Sequence, residues 1–417
     1  MDKMIIQGGE RLIGEIQIGG AKNAALPLFM ASLLTEEPVH LHNVPALRDV
    51  DTVEKLLTNM DITVKRGGRD AEVQAKALDT IEAPYDLVRT MRASVLVMGP
   101  LLARAHEAKV SLPGGCAIGT RPINLHLDGF AALGAEIDLE HGYVHARAGK
   151  LRGTTIDLPI PTVTGTENLM MAAALAEGVT VIENAAREPE VVELGNFINQ
   201  MGGRISGLGT KTLIIEGVNA LHGAEYTIMP DRVEAATYMV AAGMTRGNLL
   251  LKGARPEHLK AVIDKLMEAG MEIKAENGGL RCLLIGPIKS VDAKTLPYPG
   301  FPTDVQAQLM AMMSFANGLS VISESVFENR FMHVSELKRM GADIQVEGHS
   351  AIIRGKESLS GAPVMATDLR ASASLVLAGL AAHGTTEISR IYHLDRGYER
   401  MDEKLRAVGA KIERVKS

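Results

Sequence analysis

Apolar and polar positions along the chain follow one order that recurs six times. An alanine-rich stretch with helical spacing occurs at Ala21–Leu34, Arg92–Ala105, Thr166–Glu177, Asp231–Met244, Asp304–Asn317 and Asp368–His383. A short apolar run with the pattern of a strand follows, as in Val179–Glu183, Asn248–Lys252, Leu319–Ser323 and Thr385–Ser389. Next comes an amphipathic helix such as Glu190–Met201 or Glu257–Ala269. A glycine stops it before another strand, in Met201-Gly-Gly-Arg-Ile205, Ala269-Gly-Met-Glu-Ile273, Met340-Gly-Ala-Asp-Ile344 and Val408-Gly-Ala-Lys-Ile412. A last strand, Thr212–Glu216 or Ala351–Arg354, closes the unit. The unit reads strand, helix, strand, helix, strand, strand, with a period of roughly 65 to 75 residues.

Six such units are too sheet-rich for a thin helical solenoid, and they predict an α/β fold of two lobes with three units each. The last unit stops short after Lys411-Ile-Glu-Arg-Val415, and the N-terminal Met4-Ile-Ile-Gln-Gly8 matches Ala351-Ile-Ile-Arg-Gly355. The N-terminal segment is therefore expected to complete the last lobe. One lobe would span 22–229 and the other 1–21 plus 230–417. The two chain crossings between them predict a hinge, a place ligands favour.

Composition narrows the class. The 417 residues are 46 % hydrophobic and 23 % charged, with only 3 % aromatic residues and no tryptophan, so aliphatic and 21 methionine side chains must fill the interior. A net charge of −6 argues against nucleic-acid or membrane-surface binding, and any anionic ligand needs locally clustered Lys and Arg. The start MDKMIIQGGERLIGEI lacks a basic region followed by an apolar segment, so no signal peptide is expected, and no apolar run suits a membrane span. Two cysteines, Cys116 and Cys282, cannot form a disulfide scaffold and point to a reducing cytoplasm. Neither histidine nor cysteine spacing suggests a metal, and no glycine-rich phosphate loop is present, so neither metal nor cofactor is expected.

The repeat also locates candidate chemistry. Lys22, Arg92, Thr166, Asp231, Asp304 and Asp368 hold equivalent positions at the starts of the alanine-rich helices. Helix N-termini carry partial positive charge, so several converging on one cleft would form an anion-binding region; Asp231 reads as a cap. Arg48, Arg121, Arg187, Arg255, Arg330 and Arg396 form a second equivalent set before the amphipathic helices. Arg48, Arg187 and Arg255 read as structural, whereas Arg121, Arg330 and Arg396 have unusual neighbours that point to function. Cys116 lies in Ser111–Asp128, SLPGGCAIGTRPINLHLD, with Arg121 and His126 close in sequence. Cationic neighbours favour a thiolate, hence a nucleophile or a tunable acid; the other local reading is a buried cysteine in a glycine-shaped turn. Cys282, within LRCLLIG, reads as inert core.

GGAKNAALP (19–27), LPGGCAIGTRPINLH (112–126), ENAAREPEVV (183–192), FPTDVQAQ (301–308), FENRFMHVSELKRMGA (327–342), MATDLRASASLVLAG (365–379) and RIYHLDRGYERMDEKL (390–405) together resemble the bacterial UDP-N-acetylglucosamine 1-carboxyvinyltransferases, of the enolpyruvyl transferase family. The resemblance implies a two-lobed inside-out α/β barrel of six βαβαββ units. It implies transfer of enolpyruvate from phosphoenolpyruvate to the 3′-hydroxyl of UDP-N-acetylglucosamine, with release of phosphate, through a tetrahedral ketal. This is the first committed step of peptidoglycan synthesis. The resemblance assigns Lys22, Asn23, Arg121, Arg330, Arg370 and Arg396 to phosphoenolpyruvate. It assigns Arg92, Arg121, Pro122, Ile123, Asn124, Leu125, Thr162, Val163, Asp304 and Val326 to UDP-N-acetylglucosamine. Cys116 is then the acid for C3 and the site of covalent attack by fosfomycin; Asp304 is the base or orienter of the 3′-hydroxyl, and Asp368 assists proton traffic at C3. His126 and His393 match polar groups near the site without a catalytic role.

Two departures stand out. The chain reads Thr162-Val163-Thr164-Gly165-Thr166 where other members carry Ser-Val-Gly-Ala-Thr, and Val326 replaces isoleucine. Two other functions are compatible with the resemblance: transfer to shikimate 3-phosphate, as in 3-phosphoshikimate 1-carboxyvinyltransferase, and a non-catalytic UDP-N-acetylglucosamine sensor. The loop around Cys116 resembles the nucleotide-sugar enzymes rather than the former, and intact Lys22, Cys116, Asp304, Asp368 and Arg396 speak against the latter. Binding of the nucleotide sugar is expected to close the lobes and bring the Cys116 loop over the cleft.

Overall fold

The computed structural model describes residues 2–112 and 123–416. They divide into two compact units, one of residues 2–19 and 230–416, the other of 20–112 and 123–229. Among the described residues there are six four-stranded sheets, and all six share one plan. In one example Ala293–Lys294 pairs parallel with Leu319–Ser323, which pairs antiparallel with Ser350–Arg354, itself antiparallel to Asp343–Glu347. The chain order of these strands, with a helix in each of the first two gaps, is the βαβαββ unit that the hydrophobic pattern predicts.

The N-terminal segment serves two sheets rather than one. Asp2–Gln7 lies between Thr385–Ser389 and Lys411–Lys416, with Ile5 opposite Glu387 on one side and Glu413 on the other. Ile13–Gln17 instead pairs parallel with Asn248–Lys252. In the other unit the corresponding parallel edge is Glu225–Thr227 beside Val39–His42.

Alanine-rich helices form the interior of each unit. In the helix Arg232–Met244 every residue after the first is buried, and Gln306–Met313 is buried throughout. Small side chains let these helices, together with Leu369–Ala381, pack against one another, and methionines fill what remains. A Cβ on Gly243 would sit 2.8 Å from Met271 Sδ and 2.9 Å from Met312 Cε. The sheets bury one face on these helices, so their strands alternate: Leu319–Ser323 buries only Ser320 and Ile322. A helical core clothed in sheet is the inside-out arrangement expected of the family. No described helix is long and apolar enough to cross a membrane.

Two glycine roles recur. The glycines that end the amphipathic helices, Gly202, Gly270, Gly341 and Gly409, have φ of 96 to 106°, the left-handed turn that releases the chain into the next strand. In the first unit Asp61 takes that place at φ 62°. Gly8 and Gly355, matched in the sequence comparison, each run against a helix-end carbonyl: a Cβ there would lie 2.1 Å from Ala382 O and 1.8 Å from Ala316 O respectively.

Helix starts differ from the expected register in one unit. The third alanine-rich helix runs Val163–Ala173, with Thr162 rather than Thr166 as its cap. Thr166 is buried inside the helix, where its hydroxyl accepts from Ala186 N at 3.0 Å. Local spacing pointed to the second threonine because both flank the same turn.

Candidate functional site

The unit of residues 2–19 and 230–416 gathers two of the sequence candidates, Arg330 and Arg370, around the carboxylate of a third, Asp304. Asp304 lies in the turn Thr303–Val305 that leads into Gln306–Met313. Arg330 Nη2 donates to its Oδ1 at 2.7 Å, and Arg370 Nη2 to its Oδ2 at 3.0 Å. The two guanidinium side chains are 5 % and 4 % exposed. Burial alone would raise the Asp304 carboxyl, but Arg370 and Arg330 hold it well below the ordinary aspartate range. Burial, the largest single influence, would lower the Arg370 guanidinium, but Asp304 together with the other negative groups around it pushes it up.

Each arginine is braced from behind. Arg330 Nη1 donates to Thr303 Oγ1 at 2.9 Å, and Thr303 passes its own proton to Glu324 Oε2 at 2.8 Å. Buried Glu324 also accepts from Thr295 Oγ1 (2.7 Å) and from the backbone N–H groups of Val326 (2.8 Å) and Phe327 (3.2 Å). Arg330 further stacks on Phe327, Cζ 5.1 Å from the ring centroid. Arg370 sits in the first turn of Leu369–Ala381, whose cap is Asp368: its Oδ1 accepts from Arg370 N at 2.9 Å and Ala371 N at 3.0 Å. Arg330 Nε and Arg370 Nη1 are both buried without a hydrogen-bond partner among the described residues. Buried charged donors left unmet are costly, and an oxyanion is the group that would meet them.

Histidine lies close to this cluster but is neutral. His333 is fully buried, and burial, reinforced by Arg330 and opposed by Asp368, lowers it to about 4. Arg396 ends the turn Ile391–Arg396, where burial and its charge lower His393. Val326 is 38 % exposed on the segment that Glu324 anchors.

In the other unit Lys22 opens the helix Lys22–Ala31, and its ammonium lies 2.6 Å from Asp49 Oδ2, both side chains being buried. Asn23 follows, half-buried. Arg92 opens the 3₁₀ turn Arg92–Val97 that runs into Met98–Arg104. Ile123 is buried, Asn124 is exposed at the start of Asn124–Ala132, and Leu125 is half-buried. Thr162 Oγ1 caps its helix by accepting from Gly165 N at 3.2 Å. A Cβ at Gly165 would lie 2.4 Å from Thr162 Cγ2, so the shifted glycine accommodates the extra methyl that threonine brings. Val163 is half-buried beside it.

His126 is a packing residue. Asn168 Nδ2 donates to Val95 O (2.9 Å) and to His126 Nδ1 (3.1 Å), while its Oδ1 accepts from Gly99 N (2.7 Å). That leaves His126 Nε2–H to donate to Thr164 Oγ1 at 3.3 Å. Burial, with the Arg92 charge adding to it, lowers this imidazole to about 3. Cys116, Arg121 and Pro122 lie outside the described residues. Cys282 is buried in a strand, and burial pushes its thiol up to about 12. Among the described residues no group of three or more His, Cys, Asp and Glu side chains could hold a metal ion.

Several contributors escape the sequence reading. Asp49 stands next to Arg48, which the repeat marks as structural; Thr295 and Glu324 each lie just beyond a strand and Thr303 lies in the turn before Gln306–Met313, where no local pattern marks them.

The sequence profile described as EPSP synthase (3-phosphoshikimate 1-carboxyvinyltransferase) matches residues 6–405. A UDP-N-acetylglucosamine 1-carboxyvinyltransferase of Desulfatibacillum aliphaticivorans is 58 % identical over 416 residues, covering 100 % of both chains. The Gluconobacter oxydans protein of the same name is 59 % identical over 416 residues, again with 100 % coverage of each. The solved enolpyruvyl transferase NikO from Streptomyces tendae matches at TM-score 0.91 and 25 % identity, over 100 % of this chain and 99 % of that one. An EPSP synthase from Acinetobacter baumannii, 19 % identical, shares the fold over the whole of both chains with a TM-score of 0.79. Full-length identity at this level, on the same repeated architecture, makes the chain a member of the enolpyruvyl transferase family, among its UDP-N-acetylglucosamine 1-carboxyvinyltransferases.

Proposed function

We propose that the protein transfers the enolpyruvyl group of phosphoenolpyruvate to the 3′-hydroxyl of UDP-N-acetylglucosamine and releases phosphate, opening peptidoglycan synthesis in the cytoplasm. Full-length identity to enzymes of that name supports the substrates. The geometric observation that carries the chemistry is the Arg330–Asp304–Arg370 cluster, two buried guanidinium groups sharing one carboxylate while each keeps an unmet donor.

Addition needs the sugar oxygen to attack C2 while C3 takes a proton, giving the tetrahedral ketal; elimination removes a proton from C3 as the C–O bond to phosphate breaks. Arg330 and Arg370, with Arg121 and Arg396, are assigned to the phosphate and carboxylate, whose paired anionic oxygens suit the forked guanidinium donors. Lys22 and Asn23 join them, Lys22 bringing a cation already matched by Asp49. Cys116 is the acid for C3 and the nucleophile that fosfomycin alkylates, and Asp368 assists the proton at C3. Asp304, held ionised by two arginines, has little affinity for a proton, which suits it to orient and polarise the 3′-hydroxyl and to take its proton only in passing, as the C2–O bond forms, before releasing it to water. The nucleotide sugar is assigned to Arg92, Arg121, Pro122, Ile123, Asn124, Leu125, Thr162, Val163, Asp304 and Val326.

Phosphate release measured with both substrates, and with each omitted, tests this reading. Release that requires UDP-N-acetylglucosamine is the expected result. Release driven by shikimate 3-phosphate, or none with any acceptor, would overturn it in favour of the sister transferase or a sensor.

A further inference from the structure

Arg330 is held along two edges of its guanidinium. Nη2 donates to Asp304 Oδ1 at 2.7 Å, and Nη1 donates to Thr303 Oγ1 at 2.9 Å. The Phe327 ring lies against its face, with Cζ 5.1 Å from the centroid. Two polar contacts and a ring fix the guanidinium plane. The proton on Nε, buried and without a partner among the described residues, therefore points one way.

An arginine N–H can only donate, so Thr303 meets it with a lone pair and must send its own proton elsewhere. That proton goes to Glu324 Oε2 at 2.8 Å. Glu324 in turn cannot swing away, because three donors hold its other oxygen: Thr295 Oγ1 at 2.7 Å, Val326 N at 2.8 Å and Phe327 N at 3.2 Å. Thr295 is itself set, since Ser325 N donates to its hydroxyl oxygen at 2.9 Å. Donors thus converge on one carboxylate from two sides, Ser325 through Thr295 and Arg330 through Thr303. The Glu324 residue is 1 % exposed, a burial these hydrogen bonds offset.

Glu324 also breaks the pattern of the repeat. Just past the second strand, four other units turn the chain with a left-handed residue: Asn43, Asn184, Gly253 and Arg390, at φ of 55 to 82°. Glu324 stands at that place without the left-handed turn, and its carboxylate instead holds the backbone of the segment that leads to Arg330.

We propose that Glu324 is a positioning residue that acts through the Thr303 hydroxyl to set the plane of Arg330, and with it the donor offered to the phosphoenolpyruvate anion. The proposal rests on the assignment of Arg330 to that substrate. Thr303→Val nearly keeps the shape of the side chain and removes the link. Glu324→Gln keeps an oxygen for the three donors on one side and turns an amino group toward Thr303, whose proton then has nowhere to go. Either change should raise KM for phosphoenolpyruvate roughly tenfold, the low end of what one lost hydrogen bond to a charged group is worth. KM for UDP-N-acetylglucosamine should stay within about twofold, since Asp304 keeps both of its arginines. Both changes cut the same path, so the double variant should match the worse single variant within about twofold. Thr303→Ser returns the hydroxyl and should bring KM back to within about twofold of wild type.

Steady-state kinetics with each substrate varied, alongside thermal unfolding of the same samples, decide the matter. A selective, non-additive rise in KM for phosphoenolpyruvate, reversed in Thr303→Ser, supports the proposal. An unchanged KM in either single variant overturns it, and so does a double variant whose loss is the product of the two. An equal rise for both substrates with a lowered melting temperature, the mark of a merely structural role, overturns it as well. Should one single variant not fold, the other decides alone: a selective rise supports the proposal and an unchanged KM overturns it. Wild-type protein that releases no phosphate from the two substrates together would overturn the functional reading itself, and the proposal with it; normal wild-type kinetics with unshifted variants would overturn the proposal alone.

Discussion

Replacing Asp304 by asparagine removes one negative charge and leaves two buried arginines facing a neutral amide. Both hydrogen bonds, 2.7 and 3.0 Å, come from guanidinium side chains only 5 % and 4 % exposed, while the aspartate side chain is 27 % exposed. Removing one partner of a buried pair typically costs about 3–5 kcal/mol, and this partial exposure places the expected loss near the lower end, about 2–4 kcal/mol. For a unit of this size that is a fall of roughly 5–10 °C in melting temperature. Because the native carboxyl lies below its ordinary value of 3.8, the wild-type advantage is full above about pH 4 and shrinks only as acid carries the pH down toward the depressed native value. Phosphate should recover part of the loss in the variant and less in the wild type, since two guanidinium groups without a carboxylate recruit an oxyanion more readily. Turnover should fall by about a hundredfold or more, with the orienting charge gone. Denaturant unfolding from about pH 3 to pH 8, with and without phosphate, and thermal unfolding at neutral pH measure all but the last. A variant within about 0.5 kcal/mol of wild type throughout that range would refute the reasoning.

Acid should weaken the protein through His126, which is neutral when folded at about 3 but ordinary near 6.5 when unfolded. The unfolded chain binds the extra proton between those values, so stability falls by roughly 3 kcal/mol from pH 7 to pH 4. Urea midpoints for wild type and His126→Gln at both pH values should converge as the pH drops. Gly355→Ala would drive a Cβ to 1.8 Å from Ala316 O, a backbone atom that cannot step aside. A loss of about 2 kcal/mol or more is expected, read as a lowered denaturant midpoint. Fosfomycin should add one label, at Cys116, with buried Cys282 untouched, as mass spectrometry of the digested protein would report. Cys116→Asp should escape that label and retain turnover, because it keeps an acid at the position.

The six-unit plan is legible in the chain because each element is short and carries its own punctuation. Alanine-rich runs, strand-like apolar runs and glycines such as Gly270 and Gly409 all report on local conformation. The carboxylate–arginine cluster is legible only in part. Asp304, Arg330 and Arg370 stand out by motif, yet the pairing of all three depends on chain folding that brings residue 370 to residue 304. Glu324 and Asp49 are invisible for the same reason: each acts through a partner distant in sequence and sits in an unremarkable local pattern. Thr162 and Thr166 show the complementary limit. Both suit a helix start, and packing against Ala186 decides which one goes inside.

The strand Asp2–Gln7 has a consequence for synthesis. Its Lys3 meets Glu387, 384 positions later, and its other neighbour is Lys411–Lys416. A ribosome makes this strand long before either of its partners. Its sheet must wait until Thr385–Ser389 and Lys411–Lys416 have been made, while residues 20–229 have every partner of their own three sheets within that span. A transcript that stops before residue 385 would leave this interior strand with its hydrogen-bonding edges bare, and an unpaired edge of that kind invites neighbouring chains to dock.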